Sequence, residues 1–196
     1  MLRQSFPWCA EWGVELQQLF GAYVEAKQQQ NVLDYDDLLL YWAGMMEEPT
    51  LAQHLGARFD HVLVDEYQDT NLLQAAILLA LKPDGRGVTV VGDDAQSIYS
   101  FRGATVRNIL DFPSQFSRPA RVVTLERNYR STQPILDVSN ACIAHAAERH
   151  AKTLWTDKPS AGRPQIVRVP DESQQACWVA DQVLAHREGG LALKSQ

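Results

Sequence analysis

Two carboxylates in tandem, Asp65 and Glu66, follow the apolar run Val62-Leu63-Val64. A run of this kind reads as a short strand buried on both faces of a parallel sheet. Ligands of open α/β sheets collect just beyond the carboxyl ends of their strands. An acidic pair there can hold magnesium through one carboxylate and orient an attacking water with the other. The plainer alternative is a pair of helix N-terminal residues favoured by the helix dipole. The continuation Tyr67-Gln68-Asp69-Thr70 weighs against it.

The arrangement recurs downstream. Val88 to Val91 form a β-branched run that stops at Gly92, and a polar loop follows with Asp93, Asp94, Gln96 and Ser97. A glutamine at a strand end can contact a terminal phosphate and transmit its loss. Tyr99, Phe101 and Arg102 come next, and exposed aromatics beside an arginine suit base stacking on single-stranded nucleic acid. Burial of the two rings against the sheet is the competing reading. A third strand is expected over residues 121 to 125, followed by Arg127 and Arg130. An arginine that reaches a transferring phosphoryl group stabilises its charge, whereas a solvated surface cation does nothing of the kind.

The elements that position these residues follow from periodicity and turn signals. Residues 14 to 57 read as helical: Leu16, Leu19, Phe20, Tyr23 and Val24 form an apolar stripe expected to be core, and Asp34 with Asp37 offers an N-cap. A helix over 71 to 81 stops at Lys82-Pro83-Asp84-Gly85. Thr105 is the expected cap of a helix that Pro113 ends. Helix 133 to 147, a strand from Gln165 to Val169, and a last helix with Ala176, Val179, Ala180, Val183 and Leu184 on one face complete the chain, ending at Gly189-Gly190.

Three segments, in this order, resemble motifs of superfamily 1 DNA helicases of the UvrD/Rep/PcrA type. DEYQD at 65 to 69 is similar to the Walker B motif, GDDAQSIYSFRGA at 92 to 104 to motif III, and LERNYRS at 125 to 131 to motif IV. The likeness extends through LWTDKPSAG at 154 to 162 and back into VLDYDDLLLYW at 32 to 42. It implies an α/β chain with a partial RecA-like P-loop NTPase fold, a parallel sheet preceded by a helical segment. Residues 1 to 57 would be the helical end of accessory domain 1B, 58 to 124 the later part of RecA-like domain 1A, and 125 to 196 the start of RecA-like domain 2A, with a hinge near 123 to 128. The implied cofactors are ATP and Mg2+. Asp65 resembles the magnesium-associated carboxylate, Glu66 the catalytic base, Gln96 the γ-phosphate sensor and Arg130 the arginine presented to the γ-phosphate. Tyr99, Phe101 and Arg102 fall where the family contacts the tracking strand, although Phe101 stands where tryptophan is frequent. The implied activity is 3′-to-5′ translocation on single-stranded DNA, with duplex junctions as further partners.

No GxxxxGK[ST] sequence occurs in the 196 residues, so the backbone cradle for phosphates and its lysine are not encoded here. The chain is therefore expected to be an internal fragment, inactive alone. A non-catalytic binding or regulatory module that kept the fold is the alternative. The formal charge of −6 arises within residues 1 to 57, which hold two basic and eight acidic residues, and this balance predicts weak or no DNA binding by the piece itself. Cys9, Cys142 and Cys177 are widely spaced, without a disulfide framework or zinc pattern, which fits a reducing cytoplasm. No apolar run reaches the roughly 20 residues of a membrane span. Unpaired strand edges make self-association an expectation. On size exclusion, the elution volume should fall as loading concentration rises; a concentration-independent monomer contradicts it.

Overall fold

The computed structural model describes residues 6–160 and 162–196. Residues 1–5 of the expected helical segment and Ala161 of the LWTDKPSAG stretch lie outside the described residues. The chain forms two compact units, one ending at Thr124 and including Ala147–Ala151, the other built from Leu125–Ala146 and Lys152–Gln196.

The first unit begins with helices α1 (Gly13–Gln30), α2 (Tyr35–Met46) and α3 (Pro49–Gly56). Asp34 caps α2 through a reciprocal box: the Asp37 backbone N–H donates to Asp34 Oδ1 at 2.9 Å, and the Asp34 N–H donates to Asp37 Oδ2 at 3.0 Å. Lys27, on the last turn of α1, donates to Asp34 Oδ2 at 2.8 Å and to Asp37 Oδ2 at 2.7 Å, and the Tyr23 hydroxyl donates to Asp34 at 2.8 Å. One ammonium group thus ties the end of α1 to the start of α2.

A β-α-β unit follows. Strand β1 (Val62–Val64) pairs in parallel with β2 (Val88–Val90), with Val62 opposite Val88 and Val64 opposite Val90, and α4 (Leu72–Leu81) connects them. Asn71 and Gln74 cap α4 by the same reciprocal device. Gly87 sits at φ +70° against the Asp60 carbonyl, where a Cβ would collide, and its own carbonyl accepts from Val62 N–H at 2.9 Å. The short helix α5 (Arg107–Asp111) brings Ile109 onto the sheet. Tyr67, Leu78, Ile109, Phe112 and Phe116 form the buried cluster, with Val62, Val64, Val88 and Val90 packed against it. Its rings meet edge to face: Tyr67 and Phe112 at 5.2 Å, Phe112 and Phe116 at 5.5 Å. The second unit holds α6 (Gln133–Ile143) and α7 (Glu172–Glu188), which Gly189 follows as C-cap.

The fold is α/β, helical with a small parallel two-stranded sheet, and it departs from the sequence reading in definite places. Strand β1 is buried on one face only, because Leu63 is 77% exposed. Residues 121 to 125 form no strand: Val122, Val123 and Leu125 are exposed and lack a ladder partner, leaving one isolated parallel bridge between Arg127 and Trp155. Gln165 to Val169 form none either, for the same reason. Helix α6 stops at Ile143, short of 147. The stripe on α1 is not core, since Leu19, Phe20, Tyr23 and Val24 are all exposed, and the apolar face of α7 is likewise uncovered among the described residues. Thr105 caps one residue further out than a formal N-cap, its hydroxyl accepting from Arg107 N–H at 3.3 Å. No helix among the described residues is long and apolar enough to cross a membrane.

The Asp34 carboxyl is held well below its usual range, first by the Lys27 hydrogen bond, then by the Asp37 N–H and the Tyr23 hydroxyl. A carboxylate depressed in the folded state contributes stability that is complete above its unfolded pKa of about 3.9 and disappears as pH falls through the folded value. Lys27→Met should therefore lower the thermal midpoint by a few degrees at pH 7, and the difference should close on acidification towards about pH 2. Circular-dichroism melts check this; an offset independent of pH would contradict the brace.

Candidate functional site

Parallel pairing places the ends of β1 and β2 side by side. The Val91 N–H donates to Val64 O at 2.8 Å and the Tyr67 N–H to Val91 O at 2.9 Å, so the ladder continues past both strands and clamps the loops that leave them. Glu66 lies between these two bonds, in the left-handed region at φ +50°, ψ +42°. For a residue with a Cβ this conformation costs roughly 1–2 kcal/mol, and it persists only where the surroundings enforce it. Here the enforcing contacts are the ladder, the Asp65 carboxylate accepting from Glu66 N–H at 2.9 Å, and the 3-10 turn Tyr67–Asp69, whose Asp69 N–H donates to Glu66 O at 2.9 Å.

The Glu66 side chain is exposed, and its Oε2 accepts from Gln68 Nε2 at 2.7 Å. Gln68 is itself 1% exposed, and its Oε1 accepts from the Asp93 backbone N–H at 3.0 Å. Asp93 opens the 3-10 turn Asp94–Gln96, accepting from Ala95 N–H at 3.0 Å and from Gln96 Nε2 at 2.9 Å. Four residues from two loops thus form one hydrogen-bonded file, Glu66, Gln68, Asp93 and Gln96, which passes through the Asp93 backbone N–H. Glu66, Gln68, Asp69, Ala95, Gln96, Ile98 and Tyr99 line an open depression of about 450 Å³ over this file. Asp65 is exposed beside it. Among the described residues no group of three or more His, Cys, Asp or Glu side chains is arranged to hold a metal ion.

Next to the depression, the turn Ser100–Arg102 presents Phe101, 75% exposed, and Tyr99, with ring centroids 5.8 Å apart. The Arg102 guanidinium lies 5.2 Å from the Tyr99 ring and 5.6 Å from that of Phe101. The rings are an outward platform and not core.

In the second unit, Arg130 is exposed on an Asn128-capped turn: Asn128 Oδ1 accepts from the N–H groups of Arg130 at 2.8 Å and Ser131 at 2.7 Å. Lys158 donates to the Arg130 carbonyl at 2.8 Å. Arg127 is committed elsewhere, paired with Asp157 at 2.6 Å and stacked near Tyr129 and Trp155.

Residues 12–117 match the UvrD/REP helicase N-terminal domain, and residues 123–196 match the UvrD-like helicase C-terminal domain. The chain belongs to the UvrD/REP helicase family. It is 42% identical over 181 residues to a protein of Mycobacterium tuberculosis named ATP-dependent DNA helicase UvrD1, covering 87% of this chain and 23% of that one. It is 40% identical over 154 residues to the DNA helicase II of Rickettsia typhi, with 78% and 23% covered. To the ATP-dependent DNA helicase PcrA of Staphylococcus epidermidis it is 34% identical over 173 residues, with 88% and 24% covered. The chain therefore spans about a quarter of the length of these relatives.

Within this UvrD/REP chain, the structure brings Asp65, Glu66 and Gln96 to one edge of the sheet with Tyr99, Phe101 and Arg102 beside them, while Arg130 belongs to the other unit. Sequence reasoning missed three supporting residues. Gln68 was read only as part of a motif. Asn108 is 5% exposed and donates to Thr70 O at 2.9 Å and Asn71 O at 3.2 Å, pinning the end of the acidic loop to α5. His150, on the Ala147–Ala151 strap, donates its N–H to Asp94 Oδ2 at 3.2 Å, and Glu148 of the same strap pairs with Arg107. A polar residue two positions beyond an acidic pair was the available signal for Gln68; the other two depend on contacts distant in sequence.

Gly92 is forced by this packing, because a Cβ there would lie 2.5 Å from Gln68 Oε1 and 2.7 Å from Ile109 Cδ1. Gly92→Ala should destabilise the chain by about 1–3 kcal/mol in urea unfolding. Gly21→Ala on α1, where a methyl meets nothing within 4 Å, should stabilise by up to about 1 kcal/mol. Equal effects at the two sites would contradict the assignment.

Proposed function

We propose that this chain is the central part of an ATP-dependent DNA helicase motor that moves 3′ to 5′ on single-stranded DNA. The supporting observation is the parallel register that sets Glu66 and Gln96 on one depression at the strand ends. In this reading residues 1 to 57 close accessory domain 1B, 58 to 124 form the later part of domain 1A, and 125 to 196 open domain 2A.

Hydrolysis then divides among these residues as follows. The Glu66 carboxylate accepts the proton of a water whose oxygen attacks the γ-phosphorus, while the bond to the β-γ bridging oxygen breaks and its electron pair leaves with ADP. Gln96 donates through its amide to the γ-phosphate, and Arg130 supplies positive charge to the phosphoryl group in transfer. Asp65, exposed at the end of β1, would hold magnesium, since one or two carboxylates suffice for an ion that keeps waters and nucleotide oxygens in its shell. That ion, when bound, supplies neutralisation of phosphate charge. The loop that cradles the phosphates must come from residues outside these 196, since none of them forms GxxxxGK[ST]. Tyr99 and Phe101 stack bases of the tracking strand, with Arg102 on its backbone.

The missing phosphate loop is the observation that favours a second reading, a non-catalytic module on the same fold. One experiment separates them. The isolated chain should show no DNA-stimulated ATP hydrolysis, and the chain exchanged for the matched segment of the Staphylococcus epidermidis relative should restore it. Glu66→Gln in that exchanged protein should then reduce kcat by at least about 100-fold. A folded exchange protein without turnover, or with turnover indifferent to Glu66→Gln, sinks the hydrolytic reading.

A further inference from the structure

We propose that Gln68 is a positioning residue of the hydrolytic site, holding the Glu66 carboxylate in one rigid frame with the loop that carries Gln96. The inference rests on the proposed function and adds a residue to it.

Three observations carry it. Gln68 is among the most buried side chains of the described residues, at 1% exposure, yet it is polar, and a buried amide without partners is costly. Its partners are arranged in a single sense. The Nε2 faces carboxylate oxygens, Glu66 Oε2 at 2.7 Å and Asp69 Oδ2 at 3.4 Å, and the Oε1 faces the Asp93 N–H at 3.0 Å. Turning the amide over would set its oxygen against two carboxylates and its NH2 against a donor, so only one orientation satisfies the site. Finally, Gln68 Oε1 occupies the space a Cβ at residue 92 would enter, which glycine leaves open, and Ser97 Oγ donates to the Gln68 backbone carbonyl at 3.3 Å and holds that backbone in place.

The consequence is a connection between the two halves of the chemistry. Gln96 is bonded to Asp93, Asp93 to Gln68, and Gln68 to Glu66. A shift of the sensor loop when the γ-phosphate departs moves the Asp93 N–H, and the amide transfers that shift to the carboxylate. Exposed and on a left-handed backbone, Glu66 has its carboxylate held by Gln68 Nε2, the side-chain partner it meets among the described residues.

Kinetics in the exchanged protein and NMR of the 196-residue chain test this together. Gln68→Met keeps the volume and removes all three side-chain hydrogen bonds. It should lower kcat by roughly 10- to 100-fold with KM for ATP changed less than about threefold. In a Glu66→Gln background it should cost nothing further, because it acts through Glu66. In the unsubstituted chain, the Gln68 side-chain amide protons should exchange slowly and shift on Glu66→Gln, a measurement that stands even where Gln68→Met does not fold. Wild-type kcat in folded Gln68→Met, additive losses in the double variant, or a Gln68 amide exchanging like a free one would each overturn the proposal. Loss of activity in Glu66→Gln alongside any of these leaves the hydrolytic reading in place; indifference to Glu66→Gln removes that reading instead.

Discussion

Three residues on each side of one parallel ladder, Val62–Val64 and Val88–Val90, determine which atoms leave the sheet as neighbours. A slip of one residue would turn every side chain to the opposite face. The cluster of Tyr67, Leu78, Ile109, Phe112 and Phe116 opposes that slip, because it accepts Val62, Val64, Val88 and Val90 and leaves Leu63 outside. Apolar packing on one face thus sets the register, and the register sets the polar loops. Glu66 occupies a strained conformation because the ladder grips the chain on both sides of it.

The polar layer is built to the same standard as the apolar one. Gln68 and Asn108 are buried, and each makes a side-chain hydrogen bond that joins segments distant in sequence. Such groups add little net stability when satisfied and cost much when one partner is lost, so they fix geometry more than they strengthen the fold. Arg130 is held differently, by a turn whose cap is Asn128, which orients its backbone and leaves its guanidinium exposed.

Much of this was legible in the residues. Apolar run plus acidic pair, apolar run plus glycine and polar loop, and the Asp34 cap are local signals, and the structure bears out both strands and that cap. Strands expected at 121 to 125 and 165 to 169 did not form, because a strand is a property of its neighbour as much as of its own β-branched residues, and no neighbour lies alongside. The stripe of Leu19, Phe20, Tyr23 and Val24 has helical spacing, yet spacing says only that a face exists, not what covers it. Gln68 carries a local signal, its place two positions beyond an acidic pair, but its bond to the Asp93 N–H, 25 residues away, does not show in the sequence.

Every bond in the file from Glu66 to Gln96, and the cluster beneath it from Val62 to Phe116, is made within a short stretch of chain. These contacts close loops of a few tens of residues, an entropic cost that grows only slowly with loop length. The last anchors come later in the chain: His150 N–H reaches Asp94 and Glu148 pairs with Arg107, so the first unit is complete only once Ala147–Ala151 has been made. The order of assembly is then written into the chain: the acidic edge is laid down first, and the strap that braces the Gln96 loop joins its own unit last.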